Sequence, residues 1–246
     1  MSRLAGKRAL VTGASRGIGA AIAQQLAAEG ADVAITYERS AEKAASVVKA
    51  IEALGRKGAA IAADSADPAA VKRSVDQAAQ ALGGLDILVN NAGIYRGGPV
   101  EDWSLADIDT IMAVNIRAVV LASQAAAAHL GEGGRIISIG SCLADRVVEP
   151  NVTLYAMTKA ALIGFTKGLA RDFGPRGITV NLVHPGSTDT DMNPADGPRA
   201  AAQLARMAIP AYGKPQDIAA AVAYLASEEG RFITGAGLAV DGGVNT

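Results

Sequence analysis

"TGASRGIG" at residues 12–19 places three glycines between a β-rich run and a helical pattern. Glycine permits a tight turn and lets the backbone come close to a pyrophosphate, whose charge is stabilised by the N-terminus of the helix that follows. The spacing Gly-x3-Gly-x-Gly differs from the commoner G-x-G-x-x-G, and a glycine-rich loop by itself is often only a turn. Because this loop lies between a strand and a helix near the start of the chain, it predicts a nucleotide-binding loop that contains Gly13, Gly17 and Gly19.

Short β-rich runs alternate with longer helical patterns along the whole chain. The candidate strands are "RALVT" (8–12), "DVAITY" (32–37), "GAAIA" (58–62), "LDILVN" (85–90), "GRIISI" (134–139), "ITVNLV" (178–183) and "GLAV" (237–240). Apolar spacing predicts helices over 17–29 and 152–173. Strands that alternate with helices form βαβ units in a parallel sheet. The sequence therefore predicts a single-domain, Rossmann-like doubly wound α/β fold over residues 1–246, with about seven strands and helices on both faces.

The composition excludes several classes of protein. Half of the 246 residues are apolar and 19% are charged, which is typical of a packed globular core. A net charge of −1 gives no basic field for nucleic acid or an anionic membrane, and no apolar run is long enough to predict a membrane span. The two histidines and the lone Cys142 indicate no metal site, and one cysteine fits a reducing compartment. With no signal-peptide pattern, we expect a cytoplasmic protein that acts on a small molecule.

Polar residues follow three of the predicted strands. "NNAG" (90–93) closes the fourth strand, Ser141 follows the fifth, and "HPGSTDT" (184–190) follows the sixth. Open α/β sheets bind their ligands beyond the carboxyl ends of the strands. Any one of these segments could be an ordinary loop, but their shared edge with the glycine loop predicts a ligand site.

The end of the second strand indicates the type of dinucleotide. NAD-binding sheets usually place an acid there for the adenosine ribose, whereas this chain has Tyr37, Glu38, Arg39 and Ser40. Arg39, together with Arg16 in the glycine loop, suits a 2′-phosphate, which accepts charge-assisted hydrogen bonds. The alternative is that both arginines only solubilise the surface, and Glu38 supports it. The pattern favours NADP(H).

Two helical positions have both a structural and a functional interpretation. Asn115 shares a helix face with apolar residues, where a buried amide needs hydrogen-bond partners, so it serves either the core or the chemistry. Tyr155 and Lys159 in "YAMTK" lie four residues apart on one face of the helix 152–173. That spacing is also common for pairs on solvated surfaces, so only the surroundings can decide between the two.

The ordered set of motifs resembles the short-chain dehydrogenase/reductase family over essentially the whole chain. The matching elements are "TGASRGIG", Asp64, "NNAG", Asn115, Ser141, "YAMTK", "PGSTDT" (185–190) and "TGAGLAVDGG" (234–243). The resemblance implies a catalytic tetrad of Asn115, Ser141, Tyr155 and Lys159. It also implies that Asp64 meets the adenine, and that Thr188 and Thr190 meet the nicotinamide carboxamide. The expected NADP(H) contacts are Gly13, Ser15, Arg16, Gly17, Ile18, Gly19, Tyr37, Arg39, Ser40, Asp64, Ser65, Asn91, Ala92, Gly93, Tyr155, Lys159, Pro185, Gly186, Thr188 and Thr190.

Within that family, two segments resemble the bacterial 3-oxoacyl-acyl-carrier-protein reductases, namely "GLARDFGPRGITVN" and "DTDMNPADGP". The same segments resemble a biofilm-dispersal member that binds cyclic di-GMP. Ser141 and Tyr155 are 14 residues apart, about one more than is typical of the carrier-protein reductases, which predicts a different pocket. Those reductases also dock their carrier through a basic segment before the fifth strand, where this chain reads "AAAAHLGEGG". Arg171 matches their second docking arginine.

The leading prediction is an NADPH-dependent reductase that converts a ketone into a secondary alcohol. Tyr155 is the expected general acid, Lys159 is expected to lower the tyrosine pKa and to hold the nicotinamide ribose, and Ser141 orients the carbonyl. The resemblance implies that Asn115 anchors a water of the proton relay and that the enzyme is a homotetramer. A mobile lid is expected at about 190–212, where prolines and glycines recur. A carrier-protein reductase and a cyclic-di-GMP-binding regulator remain the alternatives.

Overall fold

Seven parallel strands form one sheet, and its central strands are buried along nearly their whole length. The computed structural model describes residues 2–246. The strands are β1 (Arg8–Val11), β2 (Asp32–Tyr37), β3 (Gly58–Ala62), β4 (Ile87–Asn90), β5 (Arg135–Ile139), β6 (Thr179–Pro185) and β7 (Gly237–Val240). Their order across the sheet is β3-β2-β1-β4-β5-β6-β7. The predicted doubly wound fold is confirmed.

Helices cover both faces of the sheet. They are α1 (Gly17–Ala28), α2 (Ala41–Ala53), α3 (Pro68–Leu82), α4 (Leu105–Met112), α5 (Ala118–Ala126), α6 (Thr153–Phe173), α7 (Ala200–Leu204) and α8 (Pro215–Ala226). One core lies between the sheet and helices α1, α2 and α8, and the other lies under α3 and α5. Side chains such as Ile22, Leu26 and Leu88 have no exposed surface, and each such burial contributes roughly 1.5–3 kcal/mol. No helix within residues 2–246 is both long and apolar enough to cross a bilayer.

The topology creates a crevice at the middle of the sheet. Strand β1 pairs with β2 on one side and with β4 on the other, so the chain reverses its winding direction between them. Ligands of open α/β sheets bind at such a switch point, beyond the carboxyl ends of the strands. The glycine loop follows β1 and the "NNAG" segment follows β4, which brings these two motifs together.

Several element bounds differ by one or two residues from the predicted ones, and two differences lie close to the site. Strand β6 runs two residues beyond the predicted end, to Pro185, because its last residues pair with β7. The helix around Asn115 contains a π-helical segment at Ala113–Arg117 between α4 and α5. A π-helical turn leaves the regular hydrogen-bond ladder and often occurs at functional sites. Apolar periodicity does not reveal this interruption, because both neighbouring helices keep their buried faces.

Candidate active site

The glycine loop is joined to the "NNAG" segment by Thr12. Its Oγ1 accepts the backbone N–H groups of Asn91 and Ala92, both at 3.0 Å. Asn91 returns two bonds from Nδ2, to the carbonyls of Thr12 at 2.8 Å and Gly13 at 3.1 Å. These four hydrogen bonds fix the segments that follow β1 and β4 relative to each other.

Close packing against this segment explains two of the three glycines. A Cβ on Gly13 would lie 2.8 Å from the Cα of Ala92, and Gly13 has a φ of +62°. A Cβ on Gly19 would collide with the Asn91 amide. Gly17 has a φ of +57° and faces only Thr190, at 3.5 Å. The three glycines were expected to allow a tight turn and a close approach to a pyrophosphate, and Gly13 and Gly19 are also required by the protein's own packing.

The N-terminus of α1 has the chemistry of a phosphate site. Its cap, Arg16, makes no side-chain capping bond, and the first turn contains no acid. The unpaired N–H groups and the positive end of the helix dipole therefore remain available to an anion. This donor set fits the pyrophosphate of a dinucleotide, which Gly17 and the first turn of α1 would hold.

A cluster of charged residues lies at the far end of the crevice. Arg16 Nη1 lies 3.3 Å and Lys43 Nζ 3.4 Å from Asp191 Oδ2. These cations, Lys43 first, lower the pKa of Asp191 below its ordinary value. Arg39 pairs with the adjacent Glu38 at 2.8 Å. Lys43 is thus a third cation beside this part of the cleft, and it was not predicted because its position on α2 gives no local signal.

One open cleft of about 700 Å³ connects these features. Ser141 and every predicted cofactor contact line it: Gly13, Ser15, Arg16, Gly17, Ile18, Gly19, Tyr37, Arg39, Ser40, Asp64, Ser65, Asn91, Ala92, Gly93, Tyr155, Lys159, Pro185, Gly186, Thr188 and Thr190. Of the predicted site residues, only Asn115 is not part of the lining. Segments separated by more than a hundred residues in sequence therefore form a single site.

Asn115 lies buried behind the cleft, where its amide has three hydrogen bonds. Oδ1 accepts the N–H of Ile94 at 2.9 Å, while Nδ2 donates to the Ile94 carbonyl at 3.0 Å and to Thr158 Oγ1 at 3.1 Å. Thr158 in turn donates to the carbonyl of Tyr155 at 2.8 Å. The side chain of Asn115 thus connects the loop after "NNAG" to the helix that carries Tyr155. These bonds satisfy the buried amide of Asn115 within the protein, which supports the interpretation that Asn115 serves the core.

Tyr155 and Lys159 occupy the same face of α6, inside the cleft rather than on the outer surface. Lys159 Nζ lies 5.7 Å from the centre of the Tyr155 ring and donates to the carbonyl of Ile139 at 2.8 Å. Burial lowers the pKa of Lys159 to about 8. Burial also raises the pKa of Tyr155 to about 12, although the Ser141 side chain opposes that rise. Sequence reasoning expected the opposite direction for Tyr155, because it counted the lysine charge and left out the desolvation of the phenolate.

A buried histidine fixes the backbone that carries Ser141. His184 Nδ1 lies 2.8 Å from the Ser141 carbonyl, and because a carbonyl only accepts, Nδ1 carries the proton. The imidazole on β6 occupies a slot between Gly140, which directly follows β5, and Gly237 on β7. A Cβ on Gly140 would lie 2.9 Å from Nδ1, and one on Gly237 would lie 2.8 Å from Nε2. In the sequence analysis His184 is only the first residue of "HPGSTDT", and no function was predicted for it.

The segment predicted to be a lid contacts the other wall of the cleft. Arg206 Nη1 lies 2.8 Å from Glu149 Oε2 in the loop after β5. The Arg199 guanidinium lies 5.1 Å from the centre of the Tyr95 ring, and that ring meets the Tyr155 ring edge-on at 5.2 Å. Tyr95 and Arg199 were absent from the predicted site because neither belongs to a motif.

Comparisons with known proteins agree with this geometry. A family model described as enoyl-(acyl carrier protein) reductase matches residues 13–245. A short-chain dehydrogenase from Burkholderia cenocepacia J2315, crystallised with NADP, is 68% identical with a TM-score of 0.98, over 99% of this chain and 100% of that one. A cyclic-di-GMP-binding biofilm dispersal mediator protein from Escherichia coli (strain K12) is 44% identical over 98% of both chains. A 3-oxoacyl-[acyl-carrier-protein] reductase from Staphylococcus aureus is 41% identical over 97% of this chain and 98% of the relative.

These matches extend over almost the entire chain, and the sheet order, the glycine loop and the cleft agree with them. The chain belongs to the short-chain dehydrogenase/reductase family.

Proposed function

We propose that this protein is an NADPH-dependent reductase that converts a ketone into a secondary alcohol. The observation that carries the proposal is the convergence of Ser141, Tyr155 and Lys159 in a cleft that Arg16 also lines and that Lys43 adjoins through Asp191. NADP in the related Burkholderia structure supports the choice of cofactor. The single cysteine, which cannot form an intramolecular disulfide, supports a cytoplasmic location.

The chain's own residues bind and protonate the substrate. The nicotinamide cofactor supplies the hydride. The raised pKa of Tyr155 keeps its phenol protonated, which is the form that can donate to the carbonyl oxygen. Ser141, whose backbone is held by His184, orients that oxygen. Lys159 adds a positive charge near the phenol and stabilises the phenolate that remains after the proton has left.

The test of this function is direct. Purified protein, NADPH and a panel of ketones are mixed, and the loss of NADPH absorbance is followed. We expect turnover of at least one ketone at a rate proportional to enzyme concentration. A panel of aliphatic, aromatic and oxo-acid ketones that gave no turnover would refute the proposal.

Carrier-protein reduction is a second candidate, favoured by the Staphylococcus relative and by the family model. The structure weakens it at one point. Arg135, the first basic residue after "AAAAHLGEGG", is only 5% exposed and donates to the carbonyls of Gly133 and Gly134, so it cannot serve a docking partner. Comparing kcat/KM for a 3-oxoacyl carrier protein with that for the corresponding free thioester decides the matter, and a strong preference for the carrier would revive this candidate.

Cyclic di-GMP binding is the third candidate, and the Escherichia coli relative is its support. A calorimetric titration of the dinucleotide in the presence and absence of saturating NADPH separates two cases. Binding that NADPH abolishes would place the dinucleotide in the cofactor cleft, and binding that NADPH leaves unchanged would place it elsewhere.

The cofactor preference follows from the charged residues near Arg16. We expect kcat/KM to favour NADPH over NADH by at least about tenfold, because charge-assisted hydrogen bonds to a 2′-phosphate contribute roughly 1.5–3 kcal/mol each before screening. Arg39→Ala and Lys43→Ala should each lower kcat/KM for NADPH and leave NADH nearly unchanged. Arg73→Ala, an exposed arginine outside the cleft, is the matched control. Equal values for the two cofactors in the wild-type protein would contradict this assignment.

The quaternary structure we propose is a homotetramer with dihedral symmetry, which needs two different two-fold interfaces. Exposed apolar side chains occur on different elements of the chain. Met112, Val120 and Met157 are exposed on α4, α5 and α6, while Phe232, which is 98% exposed, and Leu238 lie before and on the edge strand β7. We expect light scattering to give about four times the 24.8 kDa of one chain.

Phe232→Glu should reduce that mass to about two chains, because a buried charge without a partner opposes association. Leu54→Glu, which changes an exposed leucine elsewhere, should leave the mass unchanged. A wild-type mass equal to one chain would exclude the tetramer.

A further inference from the structure

Four arginines line the cleft, and three of them have carboxylate partners. The pairs are Arg16 with Asp191, Arg39 with Glu38, and Arg206 with Glu149. The fourth is Arg199. Within residues 2–246, no carboxylate oxygen lies within 4.0 Å of its guanidinium, although Arg199 is partly buried and lies on the lid segment. Its charge is therefore uncompensated at close range.

Arg199 lies at the reaction end of the cleft. Its Cζ atom is 5.1 Å from the centre of the Tyr95 ring, and Tyr95 is in edge-on contact with the Tyr155 ring. Tyr95 thus contacts both the guanidinium and the ring of the expected general acid. The cations proposed for the adenosine phosphate, Arg16 and Lys43, contact Asp191, whereas Arg199 contacts Asn193 and the Tyr95 ring.

The guanidinium has hydrogen-bonding capacity that the protein does not use. Of its five N–H groups, one makes a hydrogen bond within residues 2–246, a long one from Nη2 to Asn193 Oδ1 at 3.4 Å. Asn193 is itself held by two hydrogen bonds to Gln203, at 3.0 and 3.2 Å. Contact with the Tyr95 ring orients the guanidinium and leaves donors free at its edge. A planar carboxylate is the group that matches such a donor edge with two parallel bonds.

We propose that the ketone reduced by this protein carries a carboxylate, and that Arg199 binds that carboxylate while the ketone oxygen faces Tyr155. This inference rests on the proposed reductase function and names its substrate class. Because the Arg199 guanidinium and the Tyr155 ring lie 5.1 and 5.2 Å from the centre of the same Tyr95 ring, a substrate of several carbons can reach both. The fitting substrates are therefore oxo acids with several carbons between the two groups, rather than simple neutral ketones.

The test compares each oxo acid with its own methyl ester. The probes are 4-oxopentanoate, 5-oxohexanoate and 6-oxoheptanoate with their esters, assayed with NADPH. We expect wild-type kcat/KM to favour the best acid over its ester by about tenfold or more, the usual effect of a charge-assisted bond. Arg199→Met should reduce this ratio to about one by lowering only the value for the acid. Arg206→Met, which removes a lid arginine already paired with Glu149, should leave the ratio unchanged even if overall turnover falls.

Two results would overturn the carboxylate assignment. One is a wild-type enzyme that reduces esters and neutral ketones but does not prefer the acids. The other is an Arg199→Met variant that loses the same factor on acid and ester, because Arg199 would then only tether the lid to Tyr95. Failure of the reductase function itself looks different, since no ketone of any class would then consume NADPH.

Discussion

Tyr155→Phe is expected to fold, to bind NADPH with wild-type affinity and to lose about a thousandfold in kcat on a ketone that the wild-type protein reduces. The change removes one hydroxyl group and keeps the ring, so the edge-on contact with Tyr95 and the neighbouring Lys159 remain. General acid catalysis by a positioned group contributes typically 10²–10⁴-fold. Steady-state kinetics at saturating NADPH measure the loss, and fluorescence titration measures cofactor affinity.

Tyr95→Phe is the matched control for this loss. It removes the hydroxyl group of the adjacent ring while the contact between the two rings is kept, and we expect less than a tenfold change in kcat. If Tyr155→Phe retained wild-type turnover while Tyr95→Phe did not, the general acid would have to be reassigned to Tyr95.

Lys159→Met is expected to lower kcat by at least about a hundredfold and, at neutral pH, to make the cofactor-free protein more stable. The activity falls because the positive charge that stabilises the phenolate of Tyr155 is removed. The stability rises because burial lowers the pKa of Lys159 from 10.5 to about 8. At pH 7 the lysine is charged in both the folded and the unfolded state, and burying that charge costs about 3 kcal/mol of unfolding free energy. Loss of the hydrogen bond to the Ile139 carbonyl offsets part of the gain.

The stability difference between Lys159→Met and the wild-type protein should depend on pH. Between pH 8 and 10.5 the unfolded state holds the lysine proton and the folded state does not, so wild-type stability rises with pH over this range. The advantage of Lys159→Met should therefore shrink by about 2 kcal/mol between pH 7 and pH 10. Urea unfolding at several pH values measures it. Lys167→Met, an exposed position on the same helix, should show no such trend, and a constant stability difference for Lys159→Met would contradict the burial argument.

The raised pKa of Tyr155 also affects the expected pH dependence of the reduction rate. Since the phenol stays protonated to about pH 12, the reduction rate should not decline at mildly alkaline pH through loss of this proton. Any decline near pH 8 would instead report Lys159, whose charge is lost there. The two residues of "YAMTK" thus titrate far apart, and a pH profile of Lys159→Met tests which of them limits the rate.

Local patterns in the sequence determined the succession of strands and helices along the chain and the single α/β domain. They also determined the identity of the residues that line the cleft. They could do so because apolar periodicity and short motifs such as "TGASRGIG" and "YAMTK" are properties of neighbouring residues. Because the helix α6 has an apolar periodicity, its observed bounds, Thr153–Phe173, agree with the predicted 152–173 to within one residue. The identity of the site residues depended on recognising an ordered set of motifs, and no single motif was sufficient.

The tertiary structure alone decided what each side chain contacts across the sheet. Arg16 meets Asp191, which lies 175 residues away, and His184 meets Ser141 across neighbouring strands. The direction of the Tyr155 pKa shift also depended on burial, which the spacing to Lys159 does not reveal. Arg199 could be singled out only because the fold brings it to Tyr95 and gives it no acidic partner among residues 2–246. Such contacts follow from the order of the strands and the path of the loops, and because they join residues distant in sequence, no local pattern encodes them.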